Sequence, residues 1–194
     1  MRVIDLIRRR RSIRRFRPDP ISFQLLEQLV DAGRLAPTGG NIQPLEFVVV
    51  DDEDLKSLVF ETLKWGMHVR PRRNPPEGKR PAAYIVVLVN KQRRPSGSER
   101  DAGAAVENMV LAALEHGVGS CWLRNIDIPK LAELLSIREP LEIDSVLALG
   151  CPDEEPVVEE MQGEGYRYWL DDDDRLHVPK RPLSAVLHYN KITR

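Results

Sequence analysis

The sequence predicts a mixed α and β fold, one core with an arm leaving it, and three observations predict it. Up to about residue 150, stretches of helical apolar periodicity alternate with short β-branched runs. Within them, Tyr84-Ile85-Val86-Val87-Leu88-Val89 is nearly continuous apolar, which suits a central strand covered on both faces. From Cys151 onward core-like runs become few, yet this segment holds four of the seven tyrosines and tryptophans, so it needs a surface to lie on. The expected organisation is a single domain over residues 1–194, with about 152–194 as a C-terminal extension.

Each element follows from local pattern. Val3, Leu6 and Ile7 repeat at helical spacing, and Leu25, Leu26, Leu29 and Val30 do so behind a Ser22 N-cap. Between them Pro18 and Pro20 allow no helix to continue, so the preceding arginines lie at a helix end and in a loop. PTGGNIQP is turn-forming and leads into the strand Phe47 to Val50. Residues 52–64 are again helical through Leu55, Leu58 and Val59, and the proline-rich stretch after them is a loop. KQRRPSGSER returns the chain to solvent after the central strand. The longest helix runs from about Asp101 to His116, stops at Gly117, and carries enough alanine on one face to pack closely on another helix. Ser120 to Leu123 reads as a strand, Pro129 to Leu135 as a helix and Ser145 to Leu149 as the last core strand. Tyr166, Tyr168 and Trp169 alternate roughly as in a strand, with Asp171 to Asp174 at a hairpin turn. Trp122 and Cys151 read as core residues.

Composition narrows the function. The chain is 42% apolar and 30% charged with a formal net charge of −1, so no whole-molecule field draws it to nucleic acid or anionic lipid. No apolar run nears the roughly 20 residues of a membrane span, and charge follows the apolar residues of MRVIDLIRRRR, so a cytoplasmic protein is expected. Cys121 and Cys151 are expected to be free, buried thiols, and the histidines show no metal-site spacing, so no metal is expected. GxGxxG after a strand, GxxxxGK[ST] and GxSxG are all missing, which disfavours a Rossmann site, a P-loop and a serine nucleophile.

The chemistry-bearing feature is a run of seven arginines between Arg8 and Arg17, interrupted by Ser12. Guanidinium forks match phosphate oxygens bidentately and a hydroxyl adds a hydrogen bond, so a phosphate-bearing ligand is one reading. A solvated helix face is another, and a nucleic-acid arm a third, which the charge balance and the lack of interleaved aromatics disfavour. Lys180 and Arg181 present two further cations between prolines. The loop between Trp65 and Arg80, with Arg70, Arg72, Arg73 and Lys79, is either solvated or a lid over a pocket for an anionic acceptor.

Taken in order, RRRRSIRRF at 8–16, APTGGNIQPLEF at 36–47, DAGAAVENMVLAALEHGVGSCWL at 101–123, LALGCP at 147–152 and PKRPLSAVLHYNK at 179–191 resemble the nitroreductase family. The resemblance implies an α+β fold: a central, mainly antiparallel sheet flanked by helices, in an intertwined homodimer whose C-terminal extension crosses to the partner. It implies FMN at the dimer interface. Arg10, Arg11, Ser12 and Arg14 match the segment holding the ribityl phosphate and the pyrimidine side. Pro37, Thr38, Asn41 and Gln43 match the loop that packs on the flavin from the other subunit, with Thr38 replacing a more usual serine. Leu123 and Arg124 match the backbone beside the reactive edge, and Lys180 with Arg181 the basic pair near the phosphate. Many relatives carry Gly-Ala where this chain has Arg124-Asn125, a departure that bears on substrate preference. No catalytic side chain is implied, because the cofactor carries the redox chemistry. The implied activity is ping-pong hydride transfer from NADH or NADPH through the flavin to a nitroaromatic, quinone, enone or similar small molecule. The alternative is a flavin-binding module without turnover, acting as a sensor or scaffold.

Overall fold

The computed structural model describes residues 2–69 and 74–192. In chain order the elements are α1 Val3–Arg9, β1 Phe16–Arg17, α2 Phe23–Arg34, β2 Leu45–Val50, α3 Glu53–Phe60, β3 Ala83–Asn90 and α4 Glu99–Glu115. They continue with β4 Gly119–Leu123, α5 Ile128–Leu134, β5 Leu141–Pro152, β6 Val157–Glu160, β7 Trp169–Leu170 and β8 Leu176–Lys180.

The main sheet is antiparallel in every pairing, with order β1-β5-β3-β2 and β4 also on β5. β5 is the common partner: it pairs with β3 along Leu141–Leu149, with β4 along Val146–Gly150 and with β1 at Cys151 and Pro152. Alternation in β3 builds both cores. Ala83, Ile85 and Val87 face α2 and α4 through Leu26, Leu29, Val106 and Met109, whereas Tyr84, Val86 and Leu88 face Val59, Trp65 and Leu131 of the α3 and α5 side. Each such fully buried Val, Leu or Ile side chain contributes about 1.5–3 kcal/mol. Close packing of α4 falls on α2, where a Cβ on Gly33 would lie 3.0 Å from Met109 Cγ. Gly117 ends α4 at φ +75°, in the left-handed region that glycine enters without cost from a Cβ.

The arm forms a second, three-stranded sheet, with β6 parallel and β7 antiparallel to β8. It is fastened to the core by an Arg15–Asp174 ion pair, by Arg14 stacked 5.1 Å over the Tyr168 ring and by Lys79 paired with Asp153. After Lys180 the chain leaves Leu183, Val186, Leu187, Tyr189 and Ile192 at least half exposed.

Several expectations are corrected. The last core strand is Leu141–Pro152, longer than the predicted Ser145 to Leu149, and β1 was not predicted at all. Trp122 is not a core residue: it is 42% exposed, because Cys121 and Leu123 take the inward positions of β4 and the pleat turns Trp122 outward. Cys121 is free and buried as expected, but Cys151 is half-buried and its sulfur meets Arg17. Tyr166 and Tyr168 lie outside β7. The lid arginines Arg70, Arg72 and Arg73 lie outside the described residues. No described helix is long and apolar enough to cross a membrane.

Candidate functional site

The arginine segment is folded onto the core. Arg8 and Arg9 close the last turn of α1, where cations meet the negative end of the helix dipole. Arg10 caps that helix, giving its backbone N–H to Leu6 O, and its Nε lies 3.6 Å from Glu107 on α4. Ser12 bridges Ser120 at the start of β4, and Ile13 donates its N–H to Ser120 O at 2.8 Å. Phe16, fully buried, then locks the segment into the sheet by lying against Gly150.

This path half-buries Arg10, Arg11, Ser12 and Arg14 and turns the first two into a cleft of about 430 Å³. Arg8, Arg9, Ile13, Gly119, Ser120 and Glu154 also line it. Burial, and then the neighbouring Arg10 charge, lower the Arg11 pKa. Two cations held this closely in a half-dry wall favour an anion between them. Arg14 gives its backbone N–H to Glu154, but its side-chain Nε is buried with no hydrogen-bond partner among the described residues. Cys121 lies close to both and is pushed up in pKa by burial, against the opposing pull of Arg14, so it is a neutral thiol.

The PTGGNIQP loop lies elsewhere. Thr38 Oγ1 accepts from Gln43 N at 3.1 Å, Gln43 Nε2 reaches Asn41 O, and Gly40, Asn41 and Gln43 all take positive φ. Thr38 and Gln43 line a cleft of about 320 Å³ with Gly33, Arg34 and Arg93, which shares no residue with the arginine cleft. Pro37 precedes this turn. Leu123 is buried at the end of β4, and Arg124 after it is exposed. Lys180 ends β8 opposite Glu160, and Arg181 donates to Ala185 O at 2.8 Å; both are exposed and line neither cleft. One chain therefore gathers Arg10, Arg11, Ser12 and Arg14, and keeps the loop and the Lys180-Arg181 pair apart from them.

The family model described as "Nitroreductase family" matches residues 7–151, from the end of α1 to the end of β5. The chain belongs to the nitroreductase family. This nitroreductase-family chain is 33% identical over 159 residues to an Archaeoglobus fulgidus protein described as an NADH dehydrogenase/NAD(P)H nitroreductase, covering 78% of this chain and 86% of the relative. Among solved structures it matches a Desulfovibrio desulfuricans nitroreductase in complex with FMN, at 26% identity and a TM-score of 0.72, over 100% of this chain and 99% of the other. It shares its fold with the NADPH:FMN oxidoreductase of Vibrio harveyi, at 21% identity and a TM-score of 0.71, over 99% of this chain and 78% of the other.

Sequence reasoning missed residues around these segments. Glu107 and Glu154 meet the arginine segment from α4 and from the start of the arm, and Tyr168 covers Arg14. Arg93, Arg94 and Asp101 hold the loop. Only Asp101 carried a local signal, as an acidic residue in the first turn of a helix.

Proposed function

We propose that this nitroreductase-family chain is an FMN-dependent oxidoreductase that draws on NADH or NADPH and reduces a small organic acceptor, working as a homodimer in the cytoplasm. The observation that carries it is the half-buried Arg10–Arg11 pair facing a cleft beside Ser12, with Arg14 Nε buried and lacking a hydrogen-bond partner among the described residues. That donor set fits a phosphate monoester and a polar ring edge: guanidinium forks for phosphate oxygens, a hydroxyl as auxiliary donor, and an N–H lacking an acceptor. The FMN complex of the Desulfovibrio desulfuricans structure and the name of the Archaeoglobus fulgidus relative support the same choice.

Bound there, FMN supplies two-electron chemistry that passes hydride in ping-pong fashion from the nicotinamide to an acceptor such as a nitroaromatic, quinone or enone. The protein's part is position and charge. Arg10, Arg11 and Ser12 bind the phosphate, and Arg14 faces the pyrimidine side, where a cation favours negative charge that develops on reduction. Lys180 and Arg181 add positive potential from the arm. Leu123 and Arg124 border the reacting edge. Pro37, Thr38, Asn41 and Gln43 pack on the flavin of the partner subunit. The separation of the two clefts within one chain, and the exposed apolar tail after Lys180, support a site built by two chains. A nucleic-acid arm is disfavoured further, because Arg15 and Arg17, which lie outside the cleft, are paired with Asp174 and Asp19.

The test is an absorption spectrum of the FMN-reconstituted protein before and after anaerobic NADH or NADPH. Flavin bands that bleach are the expected result. Bands that persist would make the chain a binding module without turnover, and no retention of FMN would overturn the reading.

A further inference from the structure

The loop matched to the flavin contact is a poor candidate to hold its own shape. Gly40, Asn41 and Gln43 sit at φ of +63°, +56° and +52°; glycine and asparagine enter that region readily, but the Gln43 side chain disfavours it. Two consecutive arginines from outside the loop grip its backbone at both ends. Arg94 Nη1 donates to Gly39 O at 3.1 Å, and Arg93 Nη1 reaches Ile42 O at 3.3 Å and Gln43 O at 3.4 Å. Both come from a turn anchored at the end of β3, where Asn90 O accepts the N–H groups of Arg93 and Arg94 and Asn90 N donates to Pro44 O.

The grip closes on a buried carboxylate. Asp101, 5% exposed in the first turn of α4, accepts the Gly39 N–H at Oδ1 (3.1 Å), and its Oδ2 lies 3.3 Å from Arg94 Nη1. The hydrogen bond of Nη1 goes to Gly39 O, so Oδ2 receives the charge of Arg94 without a hydrogen bond from any described residue. The guanidinium presents its Nη1–Nη2 edge to residue 39: a Cβ there would be 2.8 Å from Nη1 and 3.0 Å from Nη2. Glycine is therefore required at 39 for the close approach of Arg94.

Resting on the FMN reading above, we propose that Arg93, Arg94 and Asp101 are positioning residues that preorganise residues 37–43 for contact with the flavin of the partner subunit. Their effect passes through the loop backbone, since an isolated turn with two non-glycine residues at positive φ would sample other conformers and lower the fraction competent to bind.

The experiment uses the FMN-reconstituted full chain carrying Arg93→Gln, Arg94→Gln, Asp101→Asn or Arg94→Lys. FMN affinity is read by quenching of flavin fluorescence, and flavin environment by visible circular dichroism. Thermal melts of the FMN-free proteins report the fold separately. Arg93 is exposed, so its variant folds whatever becomes of Asp101→Asn. Expected is a tenfold or greater loss of FMN affinity in Arg94→Gln with an altered visible spectrum, a smaller loss in Arg93→Gln, and partial recovery in Arg94→Lys. Affinity and visible spectrum unchanged in both glutamine variants would overturn the clamp while leaving the FMN reading intact. Failure of the unaltered chain to bind FMN would overturn that reading and the clamp with it.

Discussion

Gly150→Ala probes how the arginine segment is fixed to the sheet. A methyl group on residue 150 would sit 2.6 Å from Phe16 Cδ1, 2.8 Å from Cγ and 2.9 Å from Cβ. Carbon atoms in ordinary contact are about 3.5–4.0 Å apart, so the ring must retreat by about 1 Å. It has little room to do so. Phe16 is fully buried, its N–H is given to Lys79 O at 3.0 Å, and it is in register with Pro152. Overpacking of this kind costs about 1–3 kcal/mol. For a chain of this size that is a fall in Tm of about 2–12 °C. Melts are taken at one fixed protein concentration, because subunit association would shift Tm by mass action. Phe16→Ala in the Gly150→Ala background removes the two nearest atoms, Cδ1 and Cγ, so the double variant should lose less than the two single losses summed. Costs that add to within about 0.5 kcal/mol would refute the contact. Since Arg14 and Arg15 immediately precede Phe16, Gly150→Ala should weaken FMN binding as well.

Arg11→Ala should remove one charged donor to the phosphate, worth about 1.5–3 kcal/mol, or a roughly ten- to hundredfold weaker Kd for FMN by fluorescence titration. The arm should loosen with pH. His177 Nε2 lies 3.0 Å from Asp171 and Nδ1 3.1 Å from Glu159, with its ring stacked on Trp169. The bond to Asp171, then that to Glu159, raise its pKa above 6.5. Glu159 is lowered from 4.5, chiefly by the Trp169 N–H, and Asp171 from 3.8, chiefly by His177. A raised base stabilises fully below pH 6.5 and loses that contribution as pH climbs through its folded value. The lowered carboxylates contribute above pH 4.5 and 3.8 and lose it as pH falls. Hydrogen exchange over 157–180, corrected for intrinsic rate, should therefore be slowest in mildly acidic solution, and His177→Gln should flatten the alkaline limb. Truncation after Pro182 removes the exposed Leu183, Val186, Leu187, Tyr189 and Ile192, and sedimentation should then show a weakened dimer.

The helices and the central strand were legible because their signals are local. Ser22 accepts from Leu25 N as the N-cap pattern requires, Gly117 stops α4, and the unbroken apolar run of β3 has a core on each face. What needed partners was not legible. Phe16–Arg17 is a strand only because Pro152 and Cys151 lie beside it, and β5 continues past Asp144 because its pairing with β3 shifts register between Val87 and Leu88. Trp122 was misread for a different reason: the inward positions go to Cys121 and Leu123, an alternation present in the sequence but outweighed by the size of the indole. At the candidate site the arginines and the loop were found from residue type and family motif. Arg93 and Arg94 look like solvated charge in a turn, and only tertiary structure brings them to Gly39 and Gln43.

The central claim is that the flavin site takes Arg10 to Arg14 from one chain and residues 37–43 from the other. Mixing two defective homodimers tests it most directly. One carries Arg11→Ala with Arg14→Ala, the other Asn41→Ala with Gln43→Ala, and subunits are exchanged and titrated with FMN. If the site spans two chains, each mixed dimer regains one intact site, so random exchange restores FMN binding to about one in four chains. If mixed dimers form and bind no more FMN than their parents, both segments serve the same chain's flavin and the two-chain site is contradicted.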